Sequence, residues 1–346
     1  MVMAIARAAL VAAALSTAAH AQVPASRTTP VSLEGKTLTG LDEFVPTPDD
    51  NPLTPAKVAL GRRLFFDSML SIDRRLSCAS CHHPDRAFAD TVPRSHGVNG
   101  QSTKRNAPTI VNRAYGRLFF WDGRANSLEA QVVMPISEPS EMGLPLAKAI
   151  TRLSNRTDYR AAFAAAFDDQ PNAINLARAL ASYVRTIRSG DAPIDRYRAG
   201  DSAALTPEAR YGMELFAGRA NCSTCHTGNT FTDEQTHNTG VAVGTPDLGR
   251  FAITGHPADR GAFKTPTLRN VALTAPYMHD GSFATLEQVI EFYNRGGRHS
   301  TSLDPEIHPL ELTMEERNAL LAFLRSLTGI VVADSTAELR SPVPRL

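Results

Sequence analysis

Apolar residues along the chain recur mainly at helical spacing, and the clearest of these segments begin at strong helix caps. Thr54 and Pro55 are a good N-cap and a good first helical residue. The apolar face of this helix would be formed by Val58, Leu60, Leu64 and Phe65. The same signal returns at Thr206 and Pro207. The second face would be formed by Met213, Leu215 and Phe216. The pattern predicts two similar amphipathic helices, one in each half of the chain.

Two further helices are predicted between these halves. The segment 126–133 has an Asn126 and Glu129 cap and should stop at Pro135. The segment 172–187 has a longer periodic pattern. Its buried side would be formed by Ile174, Leu180, Val184 and Ile187. Strand-like alternation is scarce in this region, so the fold class is predicted to be mainly α.

Two capping boxes mark the last predicted helices. Thr285 with Gln288 opens one, and Thr313 with Glu316 opens the other. Their apolar faces would be formed by Val289, Phe292 and Tyr293, and by Leu320, Leu321, Leu324 and Leu327. The expected stops are Gly296-Gly297 and Gly329.

The ends of the chain and its charge limit its location and partners. Residues 1–21 have the pattern of a secretory signal peptide, with an apolar run too short to span a membrane. We therefore expect export to the periplasm.

Residues 22–50, rich in Pro, Thr and Ser, predict a flexible tether, and residues 331–346 predict a tail or a strap across the other domain. The net charge of +1 comes with no long basic run, which gives no support for nucleic-acid binding.

All four cysteines lie in two copies of one motif. The copies are Cys78-Ala79-Ser80-Cys81-His82 and Cys222-Ser223-Thr224-Cys225-His226. Cys-x-x-Cys-His is the attachment site of a c-type haem, because the two thiols bond the two vinyl groups of one porphyrin and the imidazole binds the iron. Zinc sites and redox disulfides also use Cys-x-x-Cys. Two complete motifs in an exported chain favour two covalently bound haems, with His82 and His226 as iron ligands.

One haem in each half predicts two cytochrome c-like haem-binding domains. The N-terminal domain would cover residues 51–190 and the C-terminal domain residues 191–330. Their boundary is placed at Ser189-Gly190-Asp191, where the apolar periodicity ends.

Longer motifs resemble those of the bacterial dihaem cytochrome c peroxidase and MauG family. They are LFFD at 64–67, RNAPT at 105–109, FWDGRA at 120–125, EPSEMG at 138–143, TLRNVALTAPY at 267–277 and HDG at 279–281. The resemblance runs from about residue 53 to residue 329. It implies an oxidoreductase in which the first haem reacts with H2O2 and the second passes electrons.

The resemblance also implies roles for individual residues. Glu141 would stand above the open face of the haem on His82 and move protons, and Gln131 and Pro135 match positions that line the peroxide pocket. Trp121, the only tryptophan, matches a residue between the haems that passes electrons. From the residues alone, Glu141 also fits a solvated acidic turn, and Trp121 fits a core aromatic.

A calcium site between the haems is implied in the same way. The side chain of Asn106 and the backbone carbonyls of Thr274 and Pro276 match its ligands. Oxygen donors of these kinds suit a hard cation such as Ca2+. Without the resemblance, these three residues would be assigned to turns.

Two positions depart from the peroxidase pattern. In the peroxidases a loop histidine blocks the resting first haem. Counting back from Asn106 places Val98 at that position in this chain, and the nearest imidazole is that of His96. An open first haem is therefore expected. Where the peroxidases have a methionine ligand to the second haem, counting from Leu286 gives Tyr293, as in MauG-like members. Met278 is the competing candidate, and a second haem without a strong ligand on this side is the third alternative. A phenolate favours oxidised iron, whereas a thioether favours Fe(II).

Three functions are consistent with these residues. The first is a peroxidase that takes electrons from a small cytochrome c or a cupredoxin. The second is a MauG-like enzyme that uses peroxide to modify a partner protein oxidatively. The third is a dihaem electron carrier without catalysis, against which Glu141 argues. Family members differ in whether they form a homodimer, so the sequence leaves that point open.

Overall fold

The computed structural model of the protein describes residues 28–32, 38–244 and 247–333, and the predicted signal peptide lies outside them. In the described ranges the helices are α1 (Pro55–Phe66), α2 (Leu128–Ser137), α3 (Leu146–Ser154), α4 (Thr157–Phe167), α5 (Ala173–Thr186), α6 (Pro193–Arg198), α7 (Pro207–Ala217), α8 (Phe251–Thr254), α9 (Leu286–Asn294) and α10 (Met314–Arg325). The strands are β1 (Thr28–Ser32), β2 (Phe44–Pro48), β3 (Arg188–Gly190), β4 (Thr236–His237), β5 (Phe263–Lys264) and β6 (Ile330–Val332). The expectation of a mainly helical fold is confirmed.

Helices α1 and α5 form the centre of the first domain. The Thr54 hydroxyl accepts the N–H of Lys57 at 3.3 Å, and Pro55 is the first helical residue, as predicted. At Gly61 a Cβ atom would overlap the carbonyl oxygen of Ala179 in α5, so the two helix backbones touch. The four predicted apolar residues of α1 are all buried. They join a core that also includes α2, α3 and α4.

The second domain repeats this arrangement with α7 and α10. The Thr206 hydroxyl accepts the N–H of Ala209 at 3.1 Å, and Pro207 opens the helix. A Cβ atom at Gly212 would overlap the carbonyl oxygen of Ala319 in α10. The weak repeat seen in the sequence is therefore a repeat of helix packing.

Some helix details differ from the predictions. Helix α2 is capped by Ser127, whose hydroxyl accepts the N–H of Ala130 at 3.1 Å, and not by Asn126. Pro135 lies inside α2 instead of stopping it, because its missing N–H removes only one bond near the end of the helix. Ile174 is 64% exposed and does not face the core, since it lies in the first turn of α5.

The segments at the two ends of the chain are partly ordered. Strand β1 pairs antiparallel with β2 inside the segment predicted to be a tether, and Val45 and Thr47 of β2 are buried. Strand β6 pairs antiparallel with β3, so the chain after residue 329 begins as a strap on the first domain. The two hydrophobic cores divide between Ile187 and Ala192, beside the predicted domain boundary.

Candidate haem-binding site

The first Cys-x-x-Cys-His motif folds as one tight turn. Cys78 begins a 3-10 helix, and its carbonyl oxygen accepts the N–H of Cys81 at 3.2 Å and of His82 at 3.0 Å. The Ser80 hydroxyl accepts the N–H of Ser77 at 3.0 Å and closes the cap. Burial raises the pKa of Cys78 to about 12 and that of Cys81 to about 11, so both are neutral thiols before haem attachment.

The imidazole of His82 is oriented by the backbone. Its Nδ1 lies 3.0 Å from the carbonyl oxygen of Phe88, to which Nδ1–H donates, and this leaves Nε2 free to bind iron. Phe88 has a φ of 57°, and the hydroxyl of Thr109 donates to the preceding carbonyl, that of Ala87, at 2.5 Å. Burial lowers the pKa of His82, which keeps the ring in the neutral form that a metal requires.

The second motif is built in the same way. His226 Nδ1 lies 3.0 Å from the carbonyl oxygen of Phe231, which has a φ of 52°. The hydroxyl of Thr267 donates to the carbonyl of Thr230 at 2.5 Å. Burial lowers the pKa of His226 to about 4, and burial raises that of Cys222 to about 12. Both motifs therefore fit a c-type haem held by two thioethers and one imidazole.

A cavity of about 740 Å³ adjoins the first motif. It brings together predicted residues that are far apart in the sequence. They are Cys81, His82, Asn106, Trp121, Gln131, Pro135 and Glu141. The structure thus places the predicted acid–base residue and the predicted iron ligand in one enclosure.

The backbone of Glu141 is fixed in the wall of this first cavity. Its N–H donates to the carbonyl of Glu138 at 2.9 Å, and its carbonyl accepts the N–H of Val98 at 2.8 Å. Burial, followed by repulsion from Glu138, raises the pKa of the Glu141 carboxyl, while Arg124 and Lys104 oppose the shift. A raised pKa suits a carboxyl group that must both accept and release a proton near neutral pH.

The loop that holds Val98 packs against the Glu141 segment. Val98 is buried, whereas the side chain of His96 is exposed. A Cβ atom at Gly97 would overlap the backbone of Ser140, which indicates how closely the loop lies. His96 is not among the residues that line the first cavity.

Trp121 lines the first cavity and also a second cavity, which adjoins the second motif. Its Nε1 donates to the carbonyl of Asn106 at 2.9 Å, and its own carbonyl accepts the N–H of Lys264 at 2.7 Å. Asn106 belongs to the first domain and Lys264 to the second. One hydrogen bond to the indole and one to the backbone of Trp121 therefore position this residue where the two domains meet.

A cavity of about 230 Å³ adjoins the second motif. Tyr293 of α9 and Met278 both line it, together with Cys222, Cys225 and His226. Burial raises the pKa of Tyr293 to about 12, and a hydrogen bond with Thr239 opposes this shift. The phenol is thus neutral in these surroundings, and its ionisation would require a cation such as iron beside it.

The predicted calcium ligands come from two segments that meet at the second cavity. Asn106, Thr274 and Pro276 all line it. Asn106 Nδ2 donates to the carbonyls of Val92 at 3.2 Å and Pro93 at 3.3 Å, so the amide oxygen is left as an acceptor. Such an oxygen is a donor that Ca2+ accepts.

Several residues in this region were not identified from the sequence. Lys264 is buried in the wall of both cavities, and burial lowers its pKa to about 7. Arg113 of the first domain pairs with Glu234 of the second at 2.7 Å. His279 lies in the same wall. The internal repeat could have pointed to this region from the sequence. Pro108-Thr109 in the first half corresponds to Pro266-Thr267 in the second half, and each pair lines the first and the second cavity.

Known proteins resemble this chain over most of its length. Residues 55–203 match the family model described as di-haem cytochrome c peroxidase, and residues 209–328 match that of cytochrome c. The methylamine utilization protein MauG of Methylorubrum extorquens is 43% identical over 301 residues, which cover 86% of this chain and 85% of the relative. Cytochrome-c peroxidase IdrP2 of Denitromonas iodatirespirans is 38% identical over 302 residues, with 79% and 81% covered.

A solved structure supports the same assignment. A MauG-like protein associated with microbial copper homeostasis has a TM-score of 0.77 and 38% identity, covering 82% of this chain and 92% of that protein. In the described part of the chain, every helix is too short or too polar to span a bilayer.

Proposed function

Because the chain belongs to the di-haem cytochrome c peroxidase and MauG family, we propose that it is an exported peroxidase. It reduces H2O2 at the first haem and draws two electrons, through the second haem, from a small cytochrome c or a cupredoxin in the periplasm. The enclosure shared by His82 and Glu141 carries this proposal. An electron carrier would need neither that space nor a carboxyl group with a raised pKa.

The haem held by His82 would supply the iron that binds peroxide and delivers electrons to its O–O bond. The protein residues then control the protons. The Glu141 carboxylate accepts a proton from one peroxide oxygen and returns it to the other, which leaves as water. Gln131 and Pro135 limit the space around the peroxide. The overall reaction consumes two protons and two electrons and yields two waters.

Transfer between the haems is assigned to Trp121, since its indole lines both cavities. The carbonyl of Asn106 accepts the indole N–H, and the N–H of Lys264 donates to the backbone carbonyl of Trp121, so both the ring and the backbone of this residue are fixed. We further propose that Asn106, Thr274 and Pro276 bind Ca2+ and so join the two domains at this point.

The second candidate function is oxidative modification of a partner protein, as in MauG. It is supported by Tyr293, which lines the second cavity together with His226. An anionic oxygen ligand would keep the second haem oxidised and able to hold an oxidising equivalent. The proposal that the first haem is open without prior reduction is supported by His96, which is exposed and does not line the first cavity.

Replacing Glu141 tests the proposed function. Glu141→Gln should lower peroxide turnover about 100-fold or more, because the amide cannot move the proton. The assay is H2O2-dependent oxidation of reduced cytochrome c, with haem content measured on the same sample. Unchanged turnover would remove Glu141 from the mechanism, and Glu208→Gln on the surface is the matched control.

Two comparisons extend this test. Glu138→Gln should move the acid limb of the pH profile to lower pH, because repulsion from Glu138 helps to raise the pKa of Glu141. Enzyme used as isolated should be as active as enzyme that was first reduced. Activity only after reduction would mean that a histidine, such as His96, blocks the first haem.

A further inference from the structure

A buried histidine between the two cavities has no part in the steps above. His279 is 3% exposed and lines both cavities. Its Nε2 atom is buried and has no hydrogen-bond partner among the residues that the structure describes. Leaving a buried polar atom unpaired is costly, so such an atom usually has a partner that is a water, an ion or a ligand.

The ring of His279 is held in place. It stacks on Phe263 with a centroid distance of 3.6 Å and an interplanar angle of 13°. It also meets Trp121 edge to face, at 6.5 Å and 71°. Its backbone carbonyl accepts the N–H of Asn106 at 2.8 Å. The imidazole is therefore clamped between elements of both domains, which limits its freedom to turn toward another protein partner.

Asp280, Asp247, Arg105 and Arg94 are the charged groups in the neighbourhood of His279. Arg105 pairs with Asp247 at 2.8 Å and with Asp122 at 2.6 Å. A neutral imidazole carries one N–H, and Nε2 is the buried ring atom that lacks a partner in the described part of the chain. The ring lines the cavity beside each of the two haem-binding motifs. The strongest acceptors on a haem are its propionate carboxylates.

We propose that His279 is a positioning residue whose Nε2–H donates a hydrogen bond to a haem propionate at the wall between the two cavities. This bond would offset part of the negative charge of the propionate, and that charge stabilises Fe(III). It would also tie the edge of the haem to the ring that contacts Trp121. The proposal depends on the haem sites and not on peroxide turnover.

Reduction potentials of the holoprotein, measured without peroxide, test the proposal. His279→Phe keeps an aromatic ring on Phe263 but removes the donor. The potential of at least one haem should fall, with about a tenfold change in its reduction equilibrium, which equals 59 mV for one electron. The exposed His256 offers a matched control, since His256→Phe should leave both potentials unchanged.

A second variant separates hydrogen bonding from packing. His279→Gln retains an N–H donor and should stay within about threefold of the unsubstituted protein in both reduction equilibria. The proposal is overturned if His279→Phe binds two haems with unchanged potentials. It is also overturned if the Gln and Phe variants shift the potentials equally. Failure in either form leaves the assignment of Glu141 intact.

Discussion

The two halves of the chain orient the histidines of their Cys-x-x-Cys-His motifs in the same way and differ in the cavity beside each motif. His82 and His226 each place Nδ1 3.0 Å from the carbonyl of a phenylalanine with positive φ. In each half, a threonine hydroxyl donates at 2.5 Å to the carbonyl of the residue before that phenylalanine. Haem attachment is thus one repeated local structure.

The cavities above these turns are unlike each other. The first is about 740 Å³ and contains Glu141 and Gln131, whereas the second is about 230 Å³ and contains Tyr293 and Met278. Residues Leu286, Ile290, Leu320 and Leu324 give the second cavity an apolar wall. The histidine-bearing turn is therefore common to the two haem-binding sites. The residues that distinguish the two cavities lie outside this repeat, and they determine whether a substrate can approach the haem.

Breaking the contact between the halves should have the largest effect on stability. Arg113 and Glu234 form an almost buried pair that joins the two domains. Burial acts to raise the pKa of Glu234, but Arg113, with Lys264, outweighs it and lowers the pKa to about 2. Glu234→Gln should lower the free energy of unfolding by about 3 kcal/mol at pH 7, measured by denaturant titration of the holoprotein.

The same pair predicts the effect of acid. Because the pKa of Glu234 is lower in the folded protein, its contribution is complete above its unfolded value of about 4.3. It should be lost as the pH falls from there toward about 2. The Gln variant should lack this part of the acid sensitivity. Equal acid sensitivity of both proteins would show that Glu234 does not carry it.

Exchanging the proposed ligand of the second haem would sharpen the difference between the cavities. Tyr293→Met should raise the potential of the second haem by on the order of 100 mV, because sulfur favours Fe(II). The first haem should keep its potential. Spectroelectrochemistry and electron paramagnetic resonance of the two ferric haems provide the measurement. If Met278→Leu produces the larger spectral change, Met278 is the ligand instead.

Substitutions at the two helix crossings test whether the helix backbones pack equally closely in both domains. Gly61→Ala and Gly212→Ala should each lower the free energy of unfolding by about 2 kcal/mol, since each added methyl group meets a backbone carbonyl that cannot move aside. Thermal unfolding of the two holoprotein variants compares them. A loss confined to one variant would mean that one helix pair can separate without cost.

The smallest effects are expected at the paired threonines. Thr109→Val and Thr267→Val each remove one hydroxyl that donates to a carbonyl beside the ligating turn. Each should cost about 1 kcal/mol of unfolding free energy. Thermal unfolding and haem content would be measured for both variants, and the two variants should have nearly the same haem content. Complete haem loss in either variant would contradict a purely supporting role.

Local rules were sufficient for most helix starts. Thr54, Thr206, Thr285 and Thr313 cap the helices that they were predicted to cap, because capping involves only neighbouring residues. The same rules misplaced the start of α2 and did not foresee Pro135 inside it. There, the contacts that extend the helix come from the rest of the domain.

The amino-acid sequence alone predicted two attached haems, because each Cys-x-x-Cys-His motif contains both attachment thiols and one iron-binding imidazole within five residues. The shape of the cavities, the pairing of Arg113 with Glu234 and the unpaired Nε2 of His279 depended on the tertiary structure. Burial and cross-domain distances create these features, and neither is encoded by neighbours along the chain. The family motifs had suggested from the sequence that Glu141 lies near His82, and the two residues line the same cavity in the structure.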